Sequence, residues 1–233
     1  MRFKLFCCVL SVVLLSVACN KKSSDAVQPA PQPAPATTSP APSTGAPASA
    51  APAASNADAT TATAETTSKM AAADWAIKQD EIKNDPNGQW AVEAAASSVY
   101  NDAKGAASYS ANQVTGAPNV DKYGDDAQAW APKTQDAGIE WLDLKYPKPV
   151  RATAVRIRES YGSGAVIKVE LFDEKGTAHT AWAGNDPTTE LNYLMVNLPK
   201  TAYKTARVKV TLATNVIPGW NEIDAVQLVG NDQ

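Results

Sequence analysis

After Gly88 the sequence contains a series of short segments in which apolar and charged residues alternate. This pattern restricts the possible folds more than any other feature of the sequence. In the segment 166–172, for example, apolar residues alternate with Lys168 and Glu170. A period of two places the apolar side chains on one face of a β-strand. Because turn residues separate these segments, the pattern predicts an all-β sandwich or barrel. The eight predicted strands are 90–97, 140–145, 152–158, 166–172, 177–183, 192–198, 206–212 and 222–229.

Residues 1–18 predict an export signal. Arg2 and Lys4 precede an apolar run that is too short to span a bilayer comfortably. Small residues then precede Cys19, and this order resembles the lipobox of bacterial lipoproteins, in which the signal is cut before a lipid-modified cysteine. The resemblance implies that Cys19 carries the lipid, and Asn20 in place of aspartate implies the outer membrane. The alternative is an ordinary secretory leader that is cleaved elsewhere.

A low-complexity segment separates this leader from the strands. Residues 19–67 consist mainly of Ala, Pro, Ser and Thr, which bury too little apolar surface to offset the entropy of ordering. We therefore expect a disordered tether. Residues 68–87 predict a short helix with Ser68 as its cap, and Trp75 is expected to dock on the domain that follows. That domain is predicted to cover residues 88–233.

Charge and the rarest residues exclude several classes of function. With 21 Lys and Arg against 24 Asp and Glu, the net charge is -3, and no basic surface favours nucleic acid. All three cysteines lie at or before Cys19, so the exported domain has no thiol for a disulfide or a metal. His179 is the single histidine, and Glu140 and Asp143 point to opposite faces of one strand. These residues predict a non-catalytic protein.

Six separated segments share their order and spacing with one known fold. They are 94–100, 109–119, 129–132, 140–144, 164–171 and 219–230. Together they resemble the galactose-binding-like jelly roll, the fold of coagulation factor 5/8 type C (discoidin) domains. The resemblance implies an eight-stranded jelly-roll β-sandwich with its ligand site on loops at one end. Members of that superfamily bind sugars, lipids or proteins, or serve only as accessory modules.

Aromatic and polar residues in the predicted loops and at the edges of the predicted strands are the candidates for a sugar site. Sugar rings stack on flat aromatic faces, while their hydroxyl groups need polar partners. Each aromatic residue has the alternative of packing in the core or at the base of a loop. The aromatic candidates are Tyr123, Trp130, Tyr161 and Trp220, and their polar companions are Asn112, Gln113, Asn221 and Arg158.

The resemblance also implies a structural calcium ion beneath the loops. Calcium takes about six to eight oxygen ligands, which bent loops with carboxylates can supply. The alternative is a solvated loop whose side chains make only local turn bonds. The candidate ligands are Asn119, Asp121, Asp125, Asp126 and Glu222.

The sequence leads to two hypotheses for function. In the first, a lipid-anchored protein of the bacterial cell envelope presents a non-catalytic module that binds a carbohydrate or another envelope ligand. In the second, a structural or assembly lipoprotein docks on a partner protein and has no small-molecule ligand. Both place the protein at the envelope, with the outer membrane as the expected site.

Replacing Cys19 with Ala is expected to release the protein from the membrane, because the lipid can no longer be attached. The measurement is the distribution of the protein between membrane and soluble fractions. Cys8→Ala is the matched control, since Cys8 is predicted to leave with the leader. Continued membrane attachment of the Cys19→Ala variant would contradict the lipidation of this residue.

Overall fold

The structure is a computed structural model that describes residues 57–102 and 107–232. The predicted export signal, Cys19 and the tether as far as residue 56 lie outside the described residues. No helix in the described ranges is long and apolar enough to cross a membrane. The elements are α1 (Ala57–Lys83), β1 (Gly88–Trp90), β2 (Glu93–Ala96), a 3₁₀ helix (Ala111–Val114), β3 (Ile139–Tyr161), β4 (Val166–Asp173), β5 (Ala178–Ala183), β6 (Asn192–Asn197), β7 (Thr205–Ala213) and β8 (Glu222–Asn231).

The eight strands form an antiparallel sandwich whose two layers share β3. The first layer contains β1, β8, the second half of β3 and β6. The second layer contains β2, the first half of β3, β7, β4 and β5. The predicted all-β, eight-stranded jelly-roll sandwich is thus confirmed. Its core is formed by side chains from both layers, among them Leu142, Leu144, Val155, Ile157, Leu171, Val208, Val210, Leu212, Val226 and Leu228.

The predicted strands 140–145 and 152–158 are one continuous strand, and the prediction of a turn between them was wrong. Pro147 and Pro149 suggested that turn because proline has no N–H to donate to a sheet. The chain instead extends through both prolines and passes from the second layer to the first. Its register with β7 shifts between Lys145 and Val150, where the crossing occurs.

A glutamine side chain supplies hydrogen bonds at this crossing. Lys148 lies between the two prolines, and its N–H donates to Gln89 Oε1 at 3.1 Å. The Gln89 Nε2 group donates to the Lys148 carbonyl at 2.8 Å. Gln89 belongs to β1, and its side chain takes the place of the main-chain partner that a neighbouring strand would provide. The N–H and the carbonyl of Lys148 are therefore both hydrogen-bonded where the pairing of β3 with β7 is interrupted.

The predicted first strand, 90–97, is two short strands. β1 pairs with β8 in the first layer, and β2 pairs with β3 in the second. The chain therefore changes layers between Trp90 and Glu93, which a single alternating pattern did not show. A bulge in β4 also places Val166 in the core in place of Ile167, which strict alternation would put on the same face as Val169 and Leu171.

Helix α1 begins at Ala57 and not at the predicted cap Ser68, so the tether prediction was wrong for residues 57–67. The reason is that no proline lies between Pro52 and Pro86, and that alanine, which has a high helix propensity, recurs in this segment. Residues 57–67 were assigned to the tether because their Ala and Thr content resembles that of the proline-rich residues before them. The end of the helix at Lys83 agrees with the predicted stop.

The last turns of α1 dock on the outer face of the first layer. Ile82 is buried, and its carbonyl accepts a hydrogen bond from Gln227 Nε2 at 2.8 Å. The Trp75 ring lies over the Arg158 guanidinium, with 5.5 Å between its centroid and the Cζ atom. The expected docking of Trp75 is therefore confirmed, although the ring stays partly exposed.

Gly230→Ala is expected to destabilise the fold by about 1–3 kcal/mol, the cost typical of overpacking a tight site. A Cβ atom at Gly230 would lie 2.3 Å from the Arg151 carbonyl oxygen, and main chain cannot move aside as a side chain can. Gly184→Ala is the matched control, because its nearest contact would be the Trp182 ring at 3.4 Å. Urea unfolding of both variants measures the difference. Equal stabilities would contradict the close approach of β8 and β3.

Candidate functional site

Several loops meet at one end of the sandwich. The register of the strands places the end of β3 beside the start of β8, and the start of β4 beside the end of β7. The Gly124 N–H donates to the Ser160 carbonyl at 3.1 Å, which brings the long β2–β3 connection to the same place. We call this region the loop end, and it comprises residues 123–128, 162–165, 184–191 and 214–221.

Three aromatic rings form a pocket at the loop end. The Tyr100 ring lies 5.0 Å from Tyr109 and 4.9 Å from Trp220 between centroids, at interplanar angles of 75° and 79°. Together with Asp125, Ala131 and Glu222 they line a cavity of about 50 Å³. We call this cavity the aromatic pocket. Trp220 was predicted as a ligand residue, whereas Tyr100 and Tyr109 were missed.

Main-chain hydrogen bonds hold the two tyrosines against one segment. The Tyr100 N–H donates to the Ala131 carbonyl at 2.9 Å, and the Tyr109 N–H donates to the Ala127 carbonyl at 3.0 Å. Tyr109 also has a positive φ of 56°, an uncommon conformation for a residue with a side chain. The two rings are therefore brought together by pairing with residues 127–131, which no local sequence pattern reveals.

Two carboxyl groups form the polar side of the aromatic pocket. The Tyr109 hydroxyl donates to Asp125 Oδ1 at 2.9 Å, and the Asp126 N–H donates to Glu222 Oε2 at 3.1 Å. Glu222 is only 1 % exposed, its carboxyl group faces that of Asp125, and no donor of the described residues bonds to its Oε1 atom. Burial raises the pKa of Glu222 to about 8, and Asp125 acts in the same direction, whereas the hydrogen bond from the Asp126 N–H acts to lower it. Burial, assisted by Asp125, also raises the pKa of Tyr109 to about 12.

Tyr123 and Tyr161 form a second aromatic pair at the loop end. Their ring centroids are 5.6 Å apart at 67°, and the Gly162 N–H donates to the Tyr123 hydroxyl at 3.2 Å. Tyr123 is 47 % exposed and is available to a ligand. Asn221 is buried, and its Nδ2 group donates to the Gly162 carbonyl at 2.6 Å. Asn221 therefore orders the loop, and its prediction as a ligand contact was wrong.

Trp130 is a core residue, and its prediction as a ligand residue was wrong. The side chain is 0 % exposed, and its Nε1 group donates to the Ser98 carbonyl at 2.9 Å. Its main chain exchanges hydrogen bonds of 2.9 and 3.1 Å with Ile223. The small apolar neighbours Ala129 and Ala131 are the local signal that favours burial.

Arg158 is also structural, and its prediction as a ligand residue was wrong. The buried guanidinium pairs through Nε with Asp224 Oδ2 at 3.2 Å and donates to the Val120 carbonyl at 2.9 Å. It also donates to the side chain of Gln79 in α1. Asp224 accepts the N–H groups of Asn119 and Val120. Arg158 lies on the outer face of the first layer, and helix α1 covers that face.

The five predicted calcium ligands separate into two groups. Asn119 and Asp121 lie on the side of α1, where Asp121 borders a groove beside Trp75. Asp125, Asp126 and Glu222 lie together at the aromatic pocket. The described residues contain no group of three or more His, Cys, Asp or Glu side chains arranged to hold a metal ion. Main-chain oxygens would have to complete a calcium site here, and calcium stays a prediction.

The polar residues considered for catalysis have structural partners. Glu140 is buried and accepts hydrogen bonds from the Ser97 and Ser98 hydroxyls, the latter at 2.9 Å. Asp143 Oδ2 forms an ion pair with Arg207 Nη2 at 2.5 Å. The His179 ring stacks on Tyr203 at 4.0 Å, and its Nε2 atom lies 3.0 Å from Asp173 Oδ2. Since these contacts are in separate parts of the sheet, they do not form a common centre.

A family model described as the C-terminal SD scarf domain of pappalysin-1 matches residues 79–233. The chain belongs to this family. The match and the sandwich together confirm the galactose-binding-like fold. The matched range includes the end of α1, so the SD scarf domain extends beyond the strands alone.

Several solved structures are similar to this chain at low sequence identity. Chitosan-binding module 1 of a chitosanase/glucanase from Paenibacillus sp. IK-5 is 13% identical, with a TM-score of 0.45 over 59% of this chain and 94% of that one. The CBM32 of AlyQ in complex with 4,5-unsaturated mannuronic acid is 12% identical, with a TM-score of 0.44 over 60% of this chain and 96% of that one. Reduced XRCC1 bound to the DNA pol beta catalytic domain is 13% identical, with a TM-score of 0.47 over 61% and 98%. A search of curated proteins found no match.

The SD scarf domain also contains a buried acid that sequence reasoning missed. Glu159 is 1 % exposed, and its Oε2 atom accepts the Gly164 N–H at 2.8 Å. Nearby, Asp186 accepts the N–H groups of Thr188 at 2.9 Å and Val166 at 3.3 Å. Burial raises the pKa of Glu159 to about 9, and the charge of Asp186 acts in the same direction. The pair joins the loops 162–165 and 184–191.

Glu159→Gln is expected to stabilise the SD scarf domain increasingly between about pH 5 and pH 9. The pKa of Glu159 is about 9 in the folded protein and 4.5 in the unfolded chain, so the folded protein loses stability as the pH rises between these two values. Glutamine cannot ionise, so this loss of at most about 1.4 kcal/mol per pH unit disappears. Urea unfolding at several pH values measures it, with the exposed Glu93→Gln as the control. A constant difference between variant and wild type across this range would contradict the burial of an ionisable Glu159.

Proposed function

We propose that this protein is a lipid-anchored component of the bacterial cell envelope whose SD scarf domain is a non-catalytic, glycan-binding module. The observation that carries the proposal is the aromatic pocket, in which Tyr100, Tyr109 and Trp220 stand beside two carboxyl groups. Aromatic faces contact the C–H faces of a sugar, and a few fixed polar groups orient it.

The surroundings of the pocket support this use of the loop end. Tyr123 and Tyr161 add a second aromatic pair at the same end of the sandwich, and Tyr123 is substantially exposed. The loops are joined to the sandwich by buried contacts of Asn221 and Glu159. Binding sites are commonly formed by loops on such a rigid scaffold. An extended glycan would therefore meet the aromatic pocket with one residue and the tyrosine pair with another.

The proposed anchor is a lipid on Cys19. The predicted tether and helix α1 would then hold the domain away from the membrane. Helix α1 alone has 27 residues, which corresponds to a length of about 40 Å at 1.5 Å per residue. In this arrangement the lipid provides attachment, and the aromatic residues of the loop end are free for another ligand. The outer membrane is the proposed location.

A role in docking on a partner protein is the second candidate. Met70 and Ile77 are 63% and 58% exposed in α1. Residues seven positions apart lie on the same face of a helix, so these two form an apolar strip. Such a strip is a common means by which one helix binds another protein. In that case the loop end would not bind a glycan.

Titration of the full chain, purified in detergent, with a panel of envelope glycans distinguishes the two candidates. We expect Trp220→Ala to reduce the affinity for the bound glycan at least tenfold with little change in unfolding temperature, since the ring lies at the surface of the domain. Tyr203→Ala is the matched control, because this tyrosine stacks on His179 away from the loop end. Isothermal titration calorimetry measures both.

Two results would overturn the glycan-binding proposal. One is that no glycan of the panel binds to the wild-type chain. The other is that a glycan binds equally well to the wild type and to Trp220→Ala. In either case, membrane pull-down with the Met70→Asp variant would test whether α1 docks on a partner.

A further inference from the structure

The aromatic pocket is complementary to a positive charge. Its lining consists of three rings, two acidic side chains and Ala131, and no basic side chain contributes. The ring of Tyr100 is nearly perpendicular to both of its neighbours, so the three rings form walls on more than one side. The negative face of an aromatic ring attracts a cation, and several rings together form the known cages for ammonium groups. Charge and shape therefore favour a cationic ligand.

The unpaired oxygen of Glu222 indicates which kind of cation fits. Glu222 Oε1 is buried and has no hydrogen-bond donor within the described residues. A buried carboxyl oxygen without a donor is costly, so a ligand that brings an N–H group gains more than its charge alone. A primary ammonium group has three such donors. A quaternary ammonium has none and would leave the oxygen unpaired.

Size and coordination separate the ammonium group from other ligands. The cavity of about 50 Å³ is small beside the roughly 300–1,000 Å³ of pockets that enclose whole ligands. It therefore receives a single group while the rest of the ligand stays outside. Calcium would need about six to eight oxygens, whereas aromatic rings form much of this lining.

We infer that the aromatic pocket binds the primary ammonium group of an amino sugar, with Glu222 and Asp125 accepting its N–H groups beside the rings of Tyr100, Tyr109 and Trp220. The inference rests on the proposed function for the sugar, and on the geometry of the pocket for the amine. It predicts selectivity for glycans whose amino groups are free over glycans whose amino groups are acetylated.

The test compares a glucosamine trisaccharide that has free amines with its fully N-acetylated form, each titrated into the full chain in detergent. We expect the free amine to bind at least tenfold more tightly. Glu222→Gln should reduce the affinity for the free amine at least tenfold, and the exposed Glu93→Gln should leave it unchanged. Asp125→Asn is a second variant that keeps the test open if Glu222→Gln does not fold.

Each contrary outcome has a distinct meaning. If both trisaccharides bind equally and Trp220→Ala abolishes both, the inference of an amine site fails and glycan binding stands. If neither binds, the amine site and its proposed sugar both fail. Tetramethylammonium binding as tightly as the trisaccharide amine would remove the role of N–H donation. Competition by calcium chloride, lost in Glu222→Gln, would assign the pocket to the predicted metal and overturn the inference.

Discussion

Strand β3 must pass from one layer of the sandwich to the other without leaving its backbone unpaired, and the rest of the domain depends on how it does so. The crossing runs through Pro147 and Pro149, which cannot donate hydrogen bonds to a sheet. Gln89 meets this requirement by bonding both polar groups of Lys148. Because the same strand pairs with β7 in one layer and β8 in the other, its path determines how both layers face each other. The loops that follow β3 and β7 are thereby brought to one end.

The loop end combines buried polar contacts with an exposed aromatic surface. Asn221 and Glu159 are buried within it and bond the main chain of the loop between β3 and β4. Their contacts order the backbone around Trp220 and Tyr161, whose rings remain partly accessible. Ordered loops lose less conformational entropy when a ligand binds, so such an arrangement favours recognition. Of the two polar residues predicted as ligand contacts, Asn221 holds the loop between β3 and β4 in place, whereas Arg158 lies beneath α1 and away from the aromatic pocket.

Trp130 and Trp220 show why similar sequence signals lead to different roles. Both lie outside the predicted strands, and both were candidates for the ligand site. Trp130 pairs with Ile223 through its main chain and is carried into the core, whereas Trp220 precedes that strand and stays at the pocket. The segments that make these contacts are about ninety positions apart in the chain. Local patterns contain no information about such a pairing.

The sequence by itself determined the class of fold, the approximate positions of most strands, the helix before them and the expectation of an export signal. These follow from local physics, since a period of two places side chains on one face of a strand and a cationic, apolar leader is read directly from its residues. Only the tertiary structure decided that β3 is a single strand, that α1 covers Arg158, and that Tyr100 and Tyr109 meet Trp220. Each of these depends on contacts between distant segments. Their free energy comes from burial and hydrogen bonding in the folded chain, and no single segment contains it.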